Sequence, residues 1–214
     1  MKKFCFIFFI NLIILFSSLS VSNAQHVRVA DVGVSNFVKN MQDNIPVILY
    51  GANWLTKYLS DALTQDAKQF FMNWQNMTLL NPIRNTSIDK SGYYGYISKV
   101  IDKENRKEKA RFLFYSNAQG YLDNISIICW NPEYDSNFAA YCWTLSIISL
   151  GMDSDEAKRT SDNFLNKVEE HKKKDASYLN ETITTYCKTQ KRYFDFHFYE
   201  CNKNHFHLNI SARN

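Results

Sequence analysis

Two hydrophobic periods divide the chain. Over 53–74 the segment NWLTKYLSDALTQDAKQFFMNW places Leu55, Tyr58, Leu59, Ala62, Leu63, Ala67, Phe70, Phe71 and Trp74 at spacings of three and four. Lys57, Asp61, Gln65 and Lys68 fall on the other side, the pattern of an amphipathic helix that packs its stripe on another element. From Gly92 the period becomes two. YYGYISKVI (93–101), ARFLFY (110–115) and YLDNISIICW (121–130) read as strands, joined by the charged turn DKENRKEK and the tight turn SNAQG. Consecutive strands with short turns predict an antiparallel meander.

The same pattern recurs in the second half. NFAAYCWTLSIISL reads as a helix closed by Gly151 in a left-handed cap. Asp153 starts another, with Glu156 as its capping-box partner and Ala157, Phe164, Leu165 and Val168 on the inner face, before the charged run HKKKD. ETITTYCK, RYFDFHFY and HFHLNISA then predict three more strands. Upstream, a strand or arm is expected over 26–34, and Ser35 can cap a short helix with Phe37, Val38 and Met41 that stops before Pro46. The expected class is α+β, an antiparallel sheet of about five to six strands in two meanders packed against two helix pairs, in the order ααβββααβββ. The parallel order suggests pseudo-repeat halves over 35–130 and 137–212, although no matching residues accompany it.

The amino terminus changes the picture of where such a domain works. MKKFCFIFFINLIILFSSLSVSNA has Lys2 and Lys3, an apolar run from Phe4 to Phe16 and a small-x-small end at Ser22-Asn23-Ala24. It reads as a signal peptide over 1–24, leaving one secreted domain over 25–214. The apolar run is shorter than the roughly 18–20 residues that span a bilayer, and no later stretch comes closer, so no transmembrane segment is expected once the signal is removed. Periplasm is the first expectation and extracellular space the second. Loss of Lys2 and Lys3 lowers the formal net charge from +4 to +2, no electrostatic footprint for nucleic acid.

An oxidising compartment favours disulfides among Cys129, Cys142, Cys187 and Cys201, and no C-x-x-C pair supports a redox motif or zinc ribbon. Pairing neighbours would join Cys129 to Cys142 and Cys187 to Cys201. A tight turn at 188–191 argues against the second bridge, because it sets Cys187 and Cys201 at opposite ends of a strand, over about 20 Å apart, whereas bridging requires Cα atoms within roughly 7 Å.

Candidate chemistry concentrates in RYFDFHFYECNKNHFHLNI (192–210), which holds six aromatic residues and three of the five histidines. Alternation sends Phe194, Phe196 and Phe198 to one face with Phe206, Leu208 and Ile210, and Tyr193, Asp195, His197 and Tyr199 to the other with His205 and His207. Matching the apolar faces requires paired residue numbers to sum to an even value, and hence a connection of three or five residues. With the sum at 404, His197 opposes His207 and Tyr199 opposes His205, with Cβ atoms about 4.5–5.5 Å apart. His197 and His207 then become candidate ligands for a transition metal such as zinc or copper, with His205 or Asp195 in support. The polar side of a half-buried antiparallel strand alternates in this way without any ligand, and that simpler reading outweighs the metal site.

Other features are weaker. Tyr93, Tyr94 and Tyr96 with Trp54, Trp74, Trp130 and Trp143 suit a sugar-stacking platform, but such aromatics more often form core. Asp153, Asp155 and Glu156 fit helix-start charges, and His171 with Lys172, Lys173 and Lys174 fits a solvated helix end. No nucleophile elbow or phosphate-cradling glycine loop occurs, and no cofactor is called for. The leading expectation is therefore a non-catalytic exported binding protein, an envelope partner-binding, inhibitor or immunity-type module with a protein partner. The alternatives are a metal-binding or metal-dependent periplasmic protein using His197 and His207, and a carbohydrate-binding module.

Overall fold

The computed structural model describes residues 27–50, 77–130, 147, 149–173, 178–201 and 205–214. Helix α1 (Val34–Tyr50) is followed by two short strands, β1 (Met77–Leu79) and β2 (Ile83–Arg84), and a single 3-10 turn. The first meander is β3 (Tyr93–Asp102), β4 (Glu108–Asn117) and β5 (Leu122–Trp130). Helix α2 (Ser154–Lys173) leads into the second, β6 (Tyr178–Cys187), β7 (Arg192–Cys201) and β8 (His205–Arg213). All eight strands form one antiparallel sheet in the order β1-β3-β4-β5-β8-β7-β6, with β2 also pairing β3. The two meanders therefore meet through their last strands, with Ile127 opposite Leu208.

Turn chemistry sets these meanders. The Asp102 carboxylate accepts the Glu104 N–H at 2.9 Å, and Arg106 takes a positive φ of 60°. In SNAQG, Asn117 Oδ1 accepts the N–H groups of Gln119 and Tyr121, and Gly120 adopts φ 86°, which costs a glycine little. Gly95 answers a different need, because a Cβ there would stand 2.4 Å from Ile88 Cγ1.

One face of the sheet carries the core. Phe112, Phe114, Ile125, Ile127, Phe194, Phe196, Phe198, Leu208 and Ile210 are at most 1% exposed. Helix α1 sets Phe37 edge-on to Phe114 at 6.1 Å, and α2 sets Phe164 edge-on to Phe198 at 4.9 Å. Each helix thus meets the middle strand of one meander. The capping box forms as expected: Asp153 Oδ1 accepts the Glu156 N–H at 2.8 Å, and Gly151 has φ 69°.

Three expectations need correction. The sheet has eight strands, not five to six, and among the described residues there are two α-helices, so the molecule is largely β and not an α+β arrangement of two helix pairs. Strands β1 and β2, of three and two residues, are too short to show a period, and Pro82 separates them. The helix expected over 53–74 lies outside the described residues, as does most of NFAAYCWTLSIISL, of which Ile147 and Leu150 are buried. Helix α1 does not stop before Pro46 but runs on to Tyr50, one backbone donor short. It also begins two residues earlier than expected: the Phe37 N–H reaches the Gly33 carbonyl at 3.0 Å, which makes Gly33 the cap in place of Ser35.

Among the described residues no two cysteines are bonded to one another. Cys187 pairs with Arg192 and Cys201 with Tyr178, so the two cysteines sit at opposite ends of the β6–β7 ladder. The neighbour pairing of Cys187 with Cys201 is thereby excluded on distance. Cys129 is buried on β5, and Cys142 lies outside the described residues. No described helix is long and apolar enough to cross a membrane.

Candidate binding face on strands β6 to β8

Opposite the core, the odd positions of β7 and β8 share a face with the even positions of β6, because the ladders pair Thr184 with Asp195 and Tyr199 with His207. Phe194, Phe196, Phe198, Leu208 and Ile210 fall on the core side, as the alternation predicts. The register differs from that expected by two residues. Paired numbers in β7 and β8 sum to 406, so Tyr199 opposes His207, His197 opposes Asn209 and Cys201 opposes His205 across a three-residue connection. A shift of two preserves both faces, which is why the hydrophobic pattern alone does not separate the two registers.

The consequence is a different set of contacts. His197 and His207 are diagonal, not opposed, and each meets Tyr199. The Tyr199 hydroxyl and His207 Nδ1 are 2.9 Å apart, with the two rings stacked at 4.5 Å and 18°. His197 stands edge-on to Tyr199 at 5.9 Å and shares a hydrogen bond with Thr182 Oγ1 through Nδ1 at 3.1 Å. Among the described residues no three His, Cys, Asp or Glu side chains gather into a metal-holding group. The backbone of His205 lies in β8, paired with Trp130 and Cys201.

Towards the other end of the face, Thr184 donates to Asp195 Oδ1 at 2.6 Å, and Arg213 Nε meets Asp195 Oδ2 at 3.1 Å. Arg213 Nη2 also donates to Thr184 Oγ1 at 3.3 Å, and the guanidinium lies 5.7 Å from the centre of the Tyr193 ring. Tyr193 tilts against Tyr186 at 5.0 Å. These two tyrosines are 42% and 43% exposed, so the cluster presents a rim of aromatic surface. At the central seam, Ser126 Oγ donates to Asn209 Oδ1 at 2.8 Å and ties β5 to β8.

Of the residues expected in the site, the structure brings Tyr193, Asp195, His197, Tyr199 and His207 onto one face. Thr182, Thr184, Tyr186 and Arg213 belong with them and were missed. Extending the same alternation through ETITTYCK and to the end of HFHLNISAR would have found all four. In the Tyr93, Tyr94 and Tyr96 cluster, Arg84 lies 4.3 Å over the Tyr94 ring and is paired with Asp89 at 2.6 Å. Trp54, Trp74 and Trp143 lie outside the described residues. Comparison with protein-family models, curated proteins and solved structures gives no significant match.

Proposed function

We propose that the chain is a small exported, non-catalytic binding protein that engages a protein partner through the outer face of β6–β8. The observation that carries this reading is the state of that face: its polar side chains are already tied in cross-strand pairs, while Tyr186 and Tyr193 stay over 40% exposed beside Arg213. Tyrosine and arginine are the residue types enriched at protein interfaces, and side chains held in place before association lose less conformational entropy on binding. The signal-like segment over 1–24 supports an envelope setting, periplasmic first and extracellular second.

The test is affinity capture of the exported chain from its own envelope, with crosslinking, beside the variant Tyr193→Ala/Arg213→Ala. A stoichiometric partner retained by the native chain and lost by the variant, at equal stability, supports the reading. Partner capture unaffected by the variant, or a hydrolytic activity in the purified chain, overturns it.

A further inference from the structure

A second feature lies on the helix side of the sheet, away from the tyrosine face. A cavity of about 220 Å³ opens between the first turn of α1 and the end of the β3–β4 pair, lined by Gly33, Val34, Ser35, Asn36, Tyr96, Ser116 and Gly120. The first bond of the helical ladder is Phe37 N–H to Gly33 carbonyl. The N–H groups of Val34, Ser35 and Asn36 come before it and have no acceptor within the helix. Gly33 at the cap has no side-chain oxygen to offer them, and the first turn carries no acidic residue. The three residues that carry these donors, at the positive end of a 17-residue helix, all line the cavity.

The second observation is independent of the helix. Ser116, on β4, also lines the cavity; it is 1% exposed, and its Oγ has no hydrogen-bond partner. A buried hydroxyl without a partner is costly, and its persistence points to a group that the hydroxyl meets when the site is filled. None of the lining residues is acidic, and Tyr96 is among them. At about 30 Å³ per water the volume holds several water-sized groups, enough for an oxyanion with a short organic tail.

We infer that this cavity is a binding site for a small molecule bearing a phosphate or carboxylate group, held by the backbone N–H groups of Val34, Ser35 and Asn36 and by the Ser116 hydroxyl. Helix N-termini bind both kinds of anion by the same donors. The inference does not rest on the partner-binding reading, since the two sites share no residue.

The experiment is titration of the purified, ¹⁵N-labelled exported chain with inorganic phosphate and, separately, with acetate, followed by amide shifts. Saturable shifts at Val34, Ser35 and Asn36 are expected. A response to phosphate alone assigns a phosphate ligand, to acetate alone a carboxylate, and to both a general oxyanion site. Ser116→Ala should weaken binding at least tenfold without lowering the melting temperature, because it removes a hydroxyl that makes no bond in the empty protein. Ser35→Glu, at an exposed position, should abolish binding by placing a carboxylate among the same donors while the helix is retained. Shifts that do not saturate, shifts centred elsewhere, or affinity unchanged in both variants would overturn the site.

Discussion

Tyr199 and His207 face each other across β7 and β8, with the hydroxyl 2.9 Å from Nδ1 and the rings stacked at 4.5 Å. Both are half-buried, so the pair contributes to stability as well as to surface shape. Tyr199→Phe keeps the ring and removes the hydrogen bond. It should destabilise the fold by about 1 kcal/mol, the usual net worth of one such bond. For a chain of this size that is a fall of about 2–4 °C in melting temperature. Tyr199→Ala removes the stacked ring as well and should cost more. If calorimetry finds Tyr199→Phe no less stable than the native chain, the bond is not formed in solution.

Acid should weaken the fold through its capping and turn aspartates. Asp153 titrates below the ordinary carboxylate range, chiefly because its carboxylate accepts the Glu156 backbone N–H. Asp102 is lowered first by the Glu104 backbone N–H, and Asp89 first by its hydrogen bond from Arg84. A carboxyl whose folded pKa lies below its unfolded value of about 3.9 stabilises fully above that value, and the contribution disappears as pH falls through the folded pKa. Stability should therefore be flat near neutrality and decline below about pH 4–5. Asparagine also caps helices, so Asp153→Asn should cost little at pH 7 yet reduce the slope below pH 4. Urea midpoints measured from pH 7 to pH 3 for both proteins would check this, and parallel curves would refute the assignment to Asp153.

The Cys187 thiol is fully buried at the end of β6, and burial pushes its pKa above the ordinary value. Reactivity requires the thiolate and access to it, and both are lacking here. Cys187 should resist a thiol reagent in the native chain and react at once in denaturant. Non-reducing peptide mapping should never recover a peptide joining Cys187 to Cys201, because the ladder holds them about 30 Å apart along nine residues of strand. A recovered 187–201 bridge would mean that the β6–β7 register is wrong.

How much of this was legible in the sequence depended on the period. Phe194, Phe196, Phe198, Leu208 and Ile210 announced their face, and alternation places them in the core without further information. Glu156 three residues after Asp153 announced a helix start, and Gly151 a left-handed cap. The offset of β8 against β7 was not legible, because registers two residues apart bury the same side chains and only the connection at 202–204 separates them. Met77–Leu79 and Ile83–Arg84 were missed for want of length, and α1 passes through Pro46 although local propensity argues against it. Ser116 was invisible for another reason. Its interest lies in having no partner, which a sequence cannot display.

Glu156 is the strongest single lever on the second half of the fold. It is 0% exposed, yet its carboxylate serves two elements: Oε2 accepts the Asp153 N–H at 3.4 Å, and Oε1 accepts the Lys188 N–H at 2.9 Å. The side chain thereby fastens the start of α2 to the turn between β6 and β7, and strand β6 itself is tied to the helix by the hydrogen bond from Thr160 Oγ1 to Thr185 Oγ1 at 2.9 Å. Hydrogen bonds to a charged acceptor are worth about 1.5–3 kcal/mol each, and a donor left without a partner in the interior adds its own cost. Glu156→Ala should therefore destabilise by about 3 kcal/mol, and Glu156→Gln, which keeps one carbonyl acceptor, by about half of that. Beyond the global loss, the Lys188 amide should exchange faster with solvent in Glu156→Ala, while the amides of the β3–β4 ladder keep their relative protection. Uniform loss of protection across both meanders would show instead that Glu156 acts only through global stability and not as a local tie between helix and turn.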